Sequence, residues 1–247
     1  MAETAVSAAP HLRTFVDLRA FAADPETGQP VTGGGDAYLT RRRLLDMPEG
    51  PAQLAALDLD GGTGSVAALP ADDFVLVLAG GLSISSGGRC ISLGADEAAI
   101  LPAGVALEWE AERGTKALVM TCHQGAPGAD RPLRIDWTPE LQPSSPPAAA
   151  VLIGETPTCR NHTEYASEKR VFTCGVWDST PYSRRAITFA HAELMHLKKG
   201  SVTFTDEDGR NGTFHAGDIV LIRQGTQCAW HSETDVAKTF CIYRPAA

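Results

Sequence analysis

The sequence predicts an all-β protein made of two similar domains. Three observations support this fold class. Short apolar runs are bounded by turn residues, no window carries a sustained apolar period of 3.6 residues, and two long segments of the chain align with each other. A chain of 247 residues is long enough for each segment to have its own core. Short antiparallel strands at regular spacing are typical of a β-sandwich or a β-barrel.

The first aligned stretch pairs two apolar runs that begin on a carboxylate. DFVLVLAGGLSI, residues 73–84, aligns with ELMHLKKGSVTF, residues 193–204, so that Asp73 matches Glu193. Both runs contain a glycine at the same place, where a turn between two strands is expected. We interpret this match as the first half of an internal repeat.

The second aligned stretch ends on a tryptophan in both copies. RCISLGADEAAILPAGVALEW, residues 89–109, aligns with RNGTFHAGDIVLIRQGTQCAW, residues 210–230, so that Trp109 matches Trp230. The offset changes by one residue between the two stretches, at a hairpin where insertions are tolerated. The following segments, TKALVMT and AKTFCIY, continue the match.

The repeat and the composition between its copies divide the chain into four parts. The predicted parts are an N-terminal arm at residues 1–35, a first barrel at 36–124, an inter-domain linker at 125–167 and a second barrel at 168–247. The linker is rich in Pro and Ala and is expected to lie against both domains. Within the arm, the segment FVDLRAF is compatible with a short strand or with a turn of helix.

The second copy shows the β pattern most clearly. Val202, Phe204 and Phe214 alternate with polar residues, as expected for strands with one buried face. The Asp-Gly pair at 208–209 and the Asn-Gly pair at 211–212 supply residues that tolerate the positive φ of tight hairpins.

Composition and charge exclude several classes of partner. With 43% hydrophobic and 21% charged residues, the chain is expected to be globular. Its formal charge of −9 argues against nucleic acid and anionic membranes, since both require a basic face. No apolar run approaches the length of a membrane span. The charge does not itself name a partner. A small-molecule ligand is one expectation, and a homodimer is another because exposed strand edges invite pairing.

The cysteines and the start of the sequence favour a reducing compartment. The six cysteines are scattered and form no C-x-x-C pair, so the sequence indicates neither a zinc knuckle nor a thioredoxin-like motif. The first residues lack a basic segment followed by an apolar core, unlike a secretory signal. We therefore expect free thiols and a cytoplasmic location.

Motif spacing in the second copy is similar to that of a known superfamily. Glu193 precedes Gly200 at the spacing of the first cupin motif, and the run from Gly217 through Gly225 to Trp230 follows the second motif. The segments GVWDSTP, KKGSVTFTDEDG and AKTFCIY more narrowly resemble the ethanolamine-utilisation Q-type cupins and the two-barrel ureidoglycine aminohydrolases. This resemblance implies two RmlC-like jelly-roll (cupin) barrels in one chain, a bicupin.

The same resemblance implies where a metal would be held. Cupin enzymes bind a divalent ion through an H-x-H pair, a Glu and a later His. Here RRAITFA precedes Glu193, so the H-x-H pair is missing, and Cys228 stands at the third His with Arg223 in place of the usual Pro. In the first copy, Asp73 replaces the Glu and Leu107 replaces the His. We therefore expect the protein to bind no metal cofactor. The first barrel in particular lacks the ligands with which cupin enzymes hold a metal.

An alternative metal set remains open in the second barrel. His191 and Glu193 share one face of a strand, whereas His196 points to the other face. With Cys228, His191 and Glu193 are candidate ligands for manganese or zinc. The competing interpretation of Cys228 is a packed, inert thiol, because nothing in its segment lowers its pKa reliably.

A ligand pocket is predicted in the second barrel. Its candidate residues are Glu193, Cys228, Trp230, Trp177 and Arg185. Trp177 belongs to the GVWDSTP segment, and the arginine offers a guanidinium to an anionic ligand at the barrel mouth. The alternatives are that Trp230 fills the core and that the arginine lies on a solvated strand edge.

These observations leave three functions. The first is a small-molecule-binding or regulatory cupin with degenerate metal sites. The second is a metal-dependent enzyme that resembles ureidoglycine aminohydrolase and acts on a small nitrogen-containing metabolite, with the metal activating water or polarising the substrate. The third is a structural or interaction protein whose barrels serve as assembly surfaces.

Overall fold

Antiparallel strands dominate the computed structural model, which describes residues 13–246. The strands of the N-terminal half are β1 (Phe15–Asp17), β2 (Gln29–Pro30), β3 (Arg42–Leu44), β4 (Ala52–Leu59), β5 (Gly62–Val66), β6 (Asp72–Ala79), β7 (Leu82–Ser86), β8 (Arg89–Leu93), β9 (Ala98–Leu101), β10 (Leu107–Ala111) and β11 (Thr115–Cys122). Two short helices lie among them, α1 (Leu18–Ala23) and α2 (Ala37–Thr40).

The remaining strands belong to the connecting segment and the C-terminal half. They are β12 (Leu133–Arg134), β13 (Gln142–Ser144), β14 (Leu152–Ile153), β15 (Cys159–Ala166), β16 (Phe172–Ser179), β17 (Tyr182–Thr188), β18 (Ala192–Lys199), β19 (Ser201–Asp206), β20 (Asn211–His215), β21 (Ile219–Ile222), β22 (Gln227–Ser232) and β23 (Val236–Tyr243). Short 3₁₀ turns occupy Ala149–Val151 and Glu168–Arg170.

The strands form a large and a small sheet in each half. The N-terminal half contains a seven-stranded sheet in the order β12-β9-β6-β11-β4-β3-β2 and a four-stranded sheet in the order β5-β10-β7-β8. The C-terminal half contains a seven-stranded sheet in the order β1-β21-β18-β23-β16-β15-β13 and a five-stranded sheet in the order β14-β17-β22-β19-β20. This arrangement confirms the all-β prediction and is consistent with jelly-roll barrels.

Three hydrophobic cores hold these sheets together. One core lies within the N-terminal half and includes Val75 and Trp109, and a second lies within the C-terminal half and includes Met195 and Trp230. The third core combines residues of both seven-stranded sheets, such as Leu76 with Leu194. Because each large sheet is covered on both faces, its central strands are continuous apolar runs rather than alternating ones.

Strand register agrees with the sequence alignment at the positions compared. Trp109 pairs with Ile84 in the first half, and Trp230 pairs with Phe204 in the second. The two tryptophans therefore occupy matching places in the two small sheets. The internal repeat stays our interpretation of this agreement.

The N-terminal arm contributes a strand to each half, since β1 joins the C-terminal half and β2 pairs with β3 in the adjacent one. Residues 1–12 of the predicted arm lie outside the described residues. The segment FVDLRAF forms both structures that were considered, since β1 is followed at once by α1, and the Asp17 carboxylate accepts hydrogen bonds from the first backbone N–H groups of that helix. Strand β1 pairs with β21, with Phe15 opposite Ile222.

The turn predicted at the Asn-Gly pair 211–212 is wrong, because Gly212 packs against the N-terminal arm. Gly209 has a φ of 78°, as a hairpin turn requires, but Gly212 lies inside β20. A Cβ on Gly212 would lie 2.4 Å from the ring of Phe15. Gly212 is therefore needed for close packing of the arm rather than for a turn.

The segment predicted as a linker contributes strands to three sheets. Strand β12 pairs with β9 in the first half, whereas β13 and β14 pair with β15 and β17 in the second. Strand β15 lies within the same segment and pairs along its length with β16. No helix in the described residues is both long enough and apolar enough to cross a membrane.

Candidate functional site

Glu193 lies in the interior of the C-terminal half. It stands on β18, between Ile222 of β21 and Ile242 of β23, and its side chain is almost completely buried. Strand alternation places it on the same face as Met195, which belongs to the core of this half. The fold therefore directs a carboxylate into an apolar interior, where its charge requires a partner.

That partner is Lys238, on the neighbouring strand β23. The Lys238 ammonium donates to Glu193 Oε1 at 2.8 Å and to Met195 Sδ at 3.1 Å. The same ammonium lies 4.8 Å from the ring centroid of Trp177 and 5.4 Å from that of Trp230. Both charged side chains are more than nine-tenths buried. Two aromatic faces and a carboxylate thus stabilise one buried cation.

His191 contacts the other oxygen of Glu193. Its Nε2 lies 3.3 Å from Oε2, which agrees with the prediction that the two side chains share a face. Burial by itself raises the pKa of Glu193, but the charge of Lys238 and the hydrogen bond and charge of His191 outweigh it and bring the pKa to about 2. His191 is about one-fifth exposed, so the carboxylate approaches solvent on this side.

Cys228 packs as a neutral thiol. It is fully buried on β22, and its thiol donates to the carbonyl of Ala229 at 3.2 Å. Burial raises the pKa of the Cys228 thiol to about 12. A nucleophile or metal ligand needs the thiolate, so this environment opposes both roles and favours the packed-thiol interpretation.

The predicted tryptophans differ in their surroundings. Trp230 is buried, stacks on Tyr182 at a centroid distance of 5.4 Å, and donates from Nε1 to Ser232 Oγ at 3.2 Å. Trp177 is half-buried and meets Trp230 edge to face at 6.0 Å. Trp230 therefore fills the core, while Trp177 forms a wall between Lys238 and the outside.

The two neighbouring arginines separate into one buried and one exposed side chain. Arg185 is exposed and donates to the carbonyl of Ala150 at 3.3 Å, away from Glu193. Arg184 is buried, donates to the carbonyl of Cys228 at 2.7 Å and lies over the ring of Phe189. Of the two, Arg184 is the one in the interior.

The N-terminal half also buries a carboxylate. Asp73 accepts hydrogen bonds from Arg42 Nη2 at 2.7 Å, from the Tyr38 hydroxyl at 3.1 Å and from Thr121 Oγ1 at 2.5 Å. The Arg42 guanidinium also lies 4.7 Å from the Tyr38 ring centroid. Burial and the nearby Asp73 charge raise the pKa of Tyr38 well above its usual range, so its hydroxyl stays a donor.

Comparison with known proteins identifies the fold family. The family model for the EutQ-like cupin domain matches residues 166–240. A protein of unknown function from the DUF861 family of Pseudomonas syringae pv. tomato is 28% identical, with a TM-score of 0.80 over 90% of this chain and 96% of that one. Residues 166–240 therefore belong to the cupin superfamily, and the chain as a whole has the cupin fold. No curated protein matches it.

More distant cupin structures share the fold alone. A cupin 2 conserved barrel domain protein from Leptotrichia buccalis is 10% identical, with a TM-score of 0.60 over 95% of this chain and 99% of that one. Protein Ylba from E. coli, also of the DUF861 family, is 10% identical with a TM-score of 0.52, and the match covers 88% of each chain.

In this cupin, the residues around Glu193 do not fit a divalent metal ion. Among the described residues, no group of three or more His, Cys, Asp or Glu side chains could hold one, so Cys228 does not complete a set with His191 and Glu193. Lys238 already neutralises the carboxylate at 2.8 Å. A metal ion bound there would also lie near this ammonium, and like unit charges about 4 Å apart repel by roughly 4 kcal/mol even at an effective dielectric of about 20.

Lys238, which neutralises the buried Glu193, was not among the site residues predicted from the sequence. Aligned as written, the segments TKALVMT and AKTFCIY set Lys238 beside Lys116, which is half-exposed. In the structure, Asp73 pairs with Thr121 and Glu193 pairs with Ile242. Ala117 stands four residues before Thr121, and Lys238 stands four residues before Ile242. The structural match of Lys238 is therefore Ala117 and not Lys116. A shift of one residue moves a strand side chain to the opposite face, which explains the miss. The available signal was a lysine within an otherwise apolar strand.

Proposed function

We propose that this chain is a bicupin that binds a small organic molecule without a metal ion, through its second barrel at 168–247. The observation that carries the proposal is the buried contact between Lys238 and Glu193. In it, a side-chain ammonium supplies the positive charge that a metal supplies in other cupins. The first barrel, at 36–124, plays a structural part in this proposal.

Charge balance supports binding without a metal. The positive charge of Lys238 cancels that of Glu193, and the rings of Trp177 and Trp230 lie around the ammonium. A neutral, aromatic-walled interior favours an organic ligand with few charges over a bare cation. Such a ligand would bind without separating the ion pair between Lys238 and Glu193.

The partly exposed residues indicate where the ligand would make contact. His191 and Trp177 are the members of this cluster that reach the surface, whereas Glu193, Lys238 and Trp230 are buried. In this proposal the ligand rests on the Trp177 ring and hydrogen-bonds to His191. Glu193 holds His191 in position by accepting a hydrogen bond from its Nε2.

Elemental analysis and ligand screening together test this function. The full chain is purified without added metal or chelator and analysed for metals, then screened against a metabolite library by thermal shift. We expect far less than one equivalent of any transition metal, and a thermal shift from at least one organic compound that is lost in Trp177→Ala. Ile153→Ala, which removes an exposed apolar side chain elsewhere, is the matched control. One equivalent of manganese or zinc that is lost in Glu193→Gln would overturn the proposal and favour the ureidoglycine aminohydrolase-like enzyme.

An assembly role is the second candidate function, and it is favoured by the depth of burial in this barrel. Glu193, Cys228 and Trp230 all lie beneath the surface, which leaves the interior filled by protein side chains. If it holds, no library compound shifts the melting temperature, and the chain forms a homodimer or a larger assembly in light scattering. A homodimer and a cytoplasmic location stay predictions under either function.

A further inference from the structure

A cavity of about 400 Å³ lies between the two halves, on the face of β18 opposite Glu193. Asp96, in the turn before β9, contributes one wall, and His196 and Lys198 of β18 contribute another. Trp137, from the segment between the halves, lies at the edge. The volume falls within the range of roughly 300–1,000 Å³ that small-molecule sites occupy. This cavity is separate from the barrel site proposed above.

His196 lines this cavity and carries a buried polar atom without a partner within the described chain. The side chain is 1% exposed, and its Nδ1 has no hydrogen-bond partner among residues 13–246. Its Nε2 lies 3.6 Å from Asp96 Oδ1. A buried polar atom without a partner destabilises the folded state, so its presence in a folded protein points to a partner that binds there.

The protonation of His196 defines what that partner must offer. Burial lowers the pKa of His196 to about 4, so the ring is neutral at neutral pH. Because the Asp96 carboxylate lies beside Nε2, the proton is favoured on Nε2, and Nδ1 is left as an acceptor. The missing partner is therefore a hydrogen-bond donor.

Lys198 and Trp137 supply two further contacts. The Lys198 ammonium donates to the backbone carbonyl of Asp96 at 2.8 Å but forms no ion pair with a carboxylate in the described part of the chain. It lies 5.8 Å from the ring centroid of Trp137, whose side chain is 55% exposed. A ligand that carries a carboxylate and an apolar group would satisfy both residues.

The local charges favour a hydroxyl over an ammonium as the donor. Lys198 and Arg19 both place positive charge near His196, while the Asp96 carboxylate is already paired with Arg19. Glu97, the other carboxylate in the same turn, is paired with Arg134. An ammonium beside Nδ1 would be repelled by Lys198 and Arg19, whereas a hydroxyl would not.

We propose that this cavity is a second binding site, for a small 2-hydroxycarboxylate with an apolar side chain. Lys198 binds the carboxylate, His196 Nδ1 accepts a hydrogen bond from the hydroxyl, and Trp137 covers the apolar side chain. All three residues line the same cavity, and a small movement of the His196 ring would bring Nδ1 to the ligand.

The test uses 3-phenyllactate as the probe, by calorimetric titration and by quenching of tryptophan fluorescence on the full chain. Three related compounds each lack one feature: 3-phenylpropionate lacks the hydroxyl, 2-phenylethanol lacks the carboxylate and L-lactate lacks the ring. We expect saturable binding of 3-phenyllactate and binding that is about tenfold weaker for each relative, since each relative loses one of the three contacts and one contact is worth roughly that much. L-phenylalanine, with an ammonium in place of the hydroxyl, should also bind more weakly.

Matched variants locate the binding. Trp137→Ala and Lys198→Met change partly exposed side chains, so they are expected to fold, and each should weaken 3-phenyllactate by about tenfold. Ile153→Ala and Lys199→Met remove an exposed apolar side chain and the adjacent lysine, which pairs with Asp235, and should leave the affinity unchanged.

Three results would overturn this proposal. One is the absence of saturable 3-phenyllactate binding at millimolar concentration, which would make a bound water the partner of His196 Nδ1. Another is equal affinity of the wild type, Trp137→Ala and Lys198→Met. The third is tighter binding of L-phenylalanine than of 3-phenyllactate. Glu193→Gln, on the opposite face of β18, should leave the affinity unchanged, so this result and that of the barrel site are independent.

Discussion

The two halves of this cupin each bury one carboxylate at a matching strand position but neutralise it differently. In the first half, Asp73 is surrounded by Arg42, Tyr38 and Thr121, so a cation and two hydroxyls share its charge. In the second, Glu193 is held by Lys238, with His191 on its partly exposed side.

The comparison shows that the two halves neutralise these two interior carboxylates, Asp73 and Glu193, with cations from different strands. Arg42 comes from β3, near the edge of its sheet, whereas Lys238 comes from the central strand β23. Because the two cations come from different strands, we infer that the neutralisation of the buried carboxylate arose independently in each half. A carboxylate buried without a cation would be costly in either half.

Removing the cation of the second half should have the largest effect. Lys238→Met leaves Glu193 buried with only His191 as a partner, and we expect the free energy of unfolding to fall by about 3–5 kcal/mol. Urea denaturation at neutral pH measures it. The double variant Lys238→Met/Glu193→Gln removes both charges and should recover most of the loss. A loss below about 1 kcal/mol in the single variant would mean that the pair is solvated.

Acid should weaken the second half through Glu193. Its pKa is about 2 in the folded state, below its ordinary value of 4.5, so the charged form stabilises the fold. This contribution is fully present above the unfolded-state pKa and is lost as the pH falls from about 4.5 through about 2. A shift of this size is worth about 3 kcal/mol.

Stability curves against pH for the wild type and Glu193→Gln measure this contribution. The two free energies of unfolding should converge as the pH falls through that window, because the glutamine does not titrate. Parallel curves across the window would show that Glu193 does not carry the depressed pKa.

Removing the cation of the first half should have a smaller effect. In Arg42→Met, Asp73 keeps the hydroxyl donors of Tyr38 and Thr121, so we expect a loss of about 2–3 kcal/mol in urea denaturation. Arg42→Met/Asp73→Asn is the matched control and should restore part of this loss. If Arg42→Met costs more than Lys238→Met, the hydroxyls do not share the charge and the comparison between the halves fails.

The smallest expected effect concerns the thiols. Cys228 is buried and its pKa is raised to about 12, whereas Cys90, in the first half, is exposed. Treatment of the folded protein with iodoacetamide, followed by peptide mass spectrometry, should modify Cys90 and spare Cys228. Modification of Cys228 at a rate equal to that of Cys90 would show that small molecules reach the interior of the C-terminal half and that the Cys228 thiol is reactive.

Local sequence pattern predicted a good part of the candidate site. The spacing of His191 and Glu193 placed both on one strand face, and the 3.3 Å contact agrees with that expectation. The same alternation placed His196 on the other face, where it lines the cavity between the halves. These inferences succeeded because the two-residue period of a strand is a local property of the backbone.

The partners across the fold could not be predicted in this way. Lys238 lies far from Glu193 in the sequence, and a one-residue difference in register separates it from the position that the aligned segments suggested. The partner of the N-terminal arm could not be predicted from the sequence either. Its strand pairs with β21 in the distant half, and Phe15 requires a glycine at position 212. Such contacts depend on which strands become neighbours.

The amino-acid sequence alone determined that this protein is built of antiparallel strands, that its second half carries cupin motifs, and that the usual histidine pair is missing there. Turn residues, the alternation of apolar and polar residues, and motif spacing depend only on residues that are close together in the sequence. Only the tertiary structure decided that Lys238 neutralises Glu193, that Arg42 neutralises Asp73, and that His196, whose Nδ1 has no partner in the described part of the chain, lines a cavity between the halves. The physical reason is that a buried charge is satisfied by whatever donor folding brings within about 3 Å, and sequence separation places no limit on that choice.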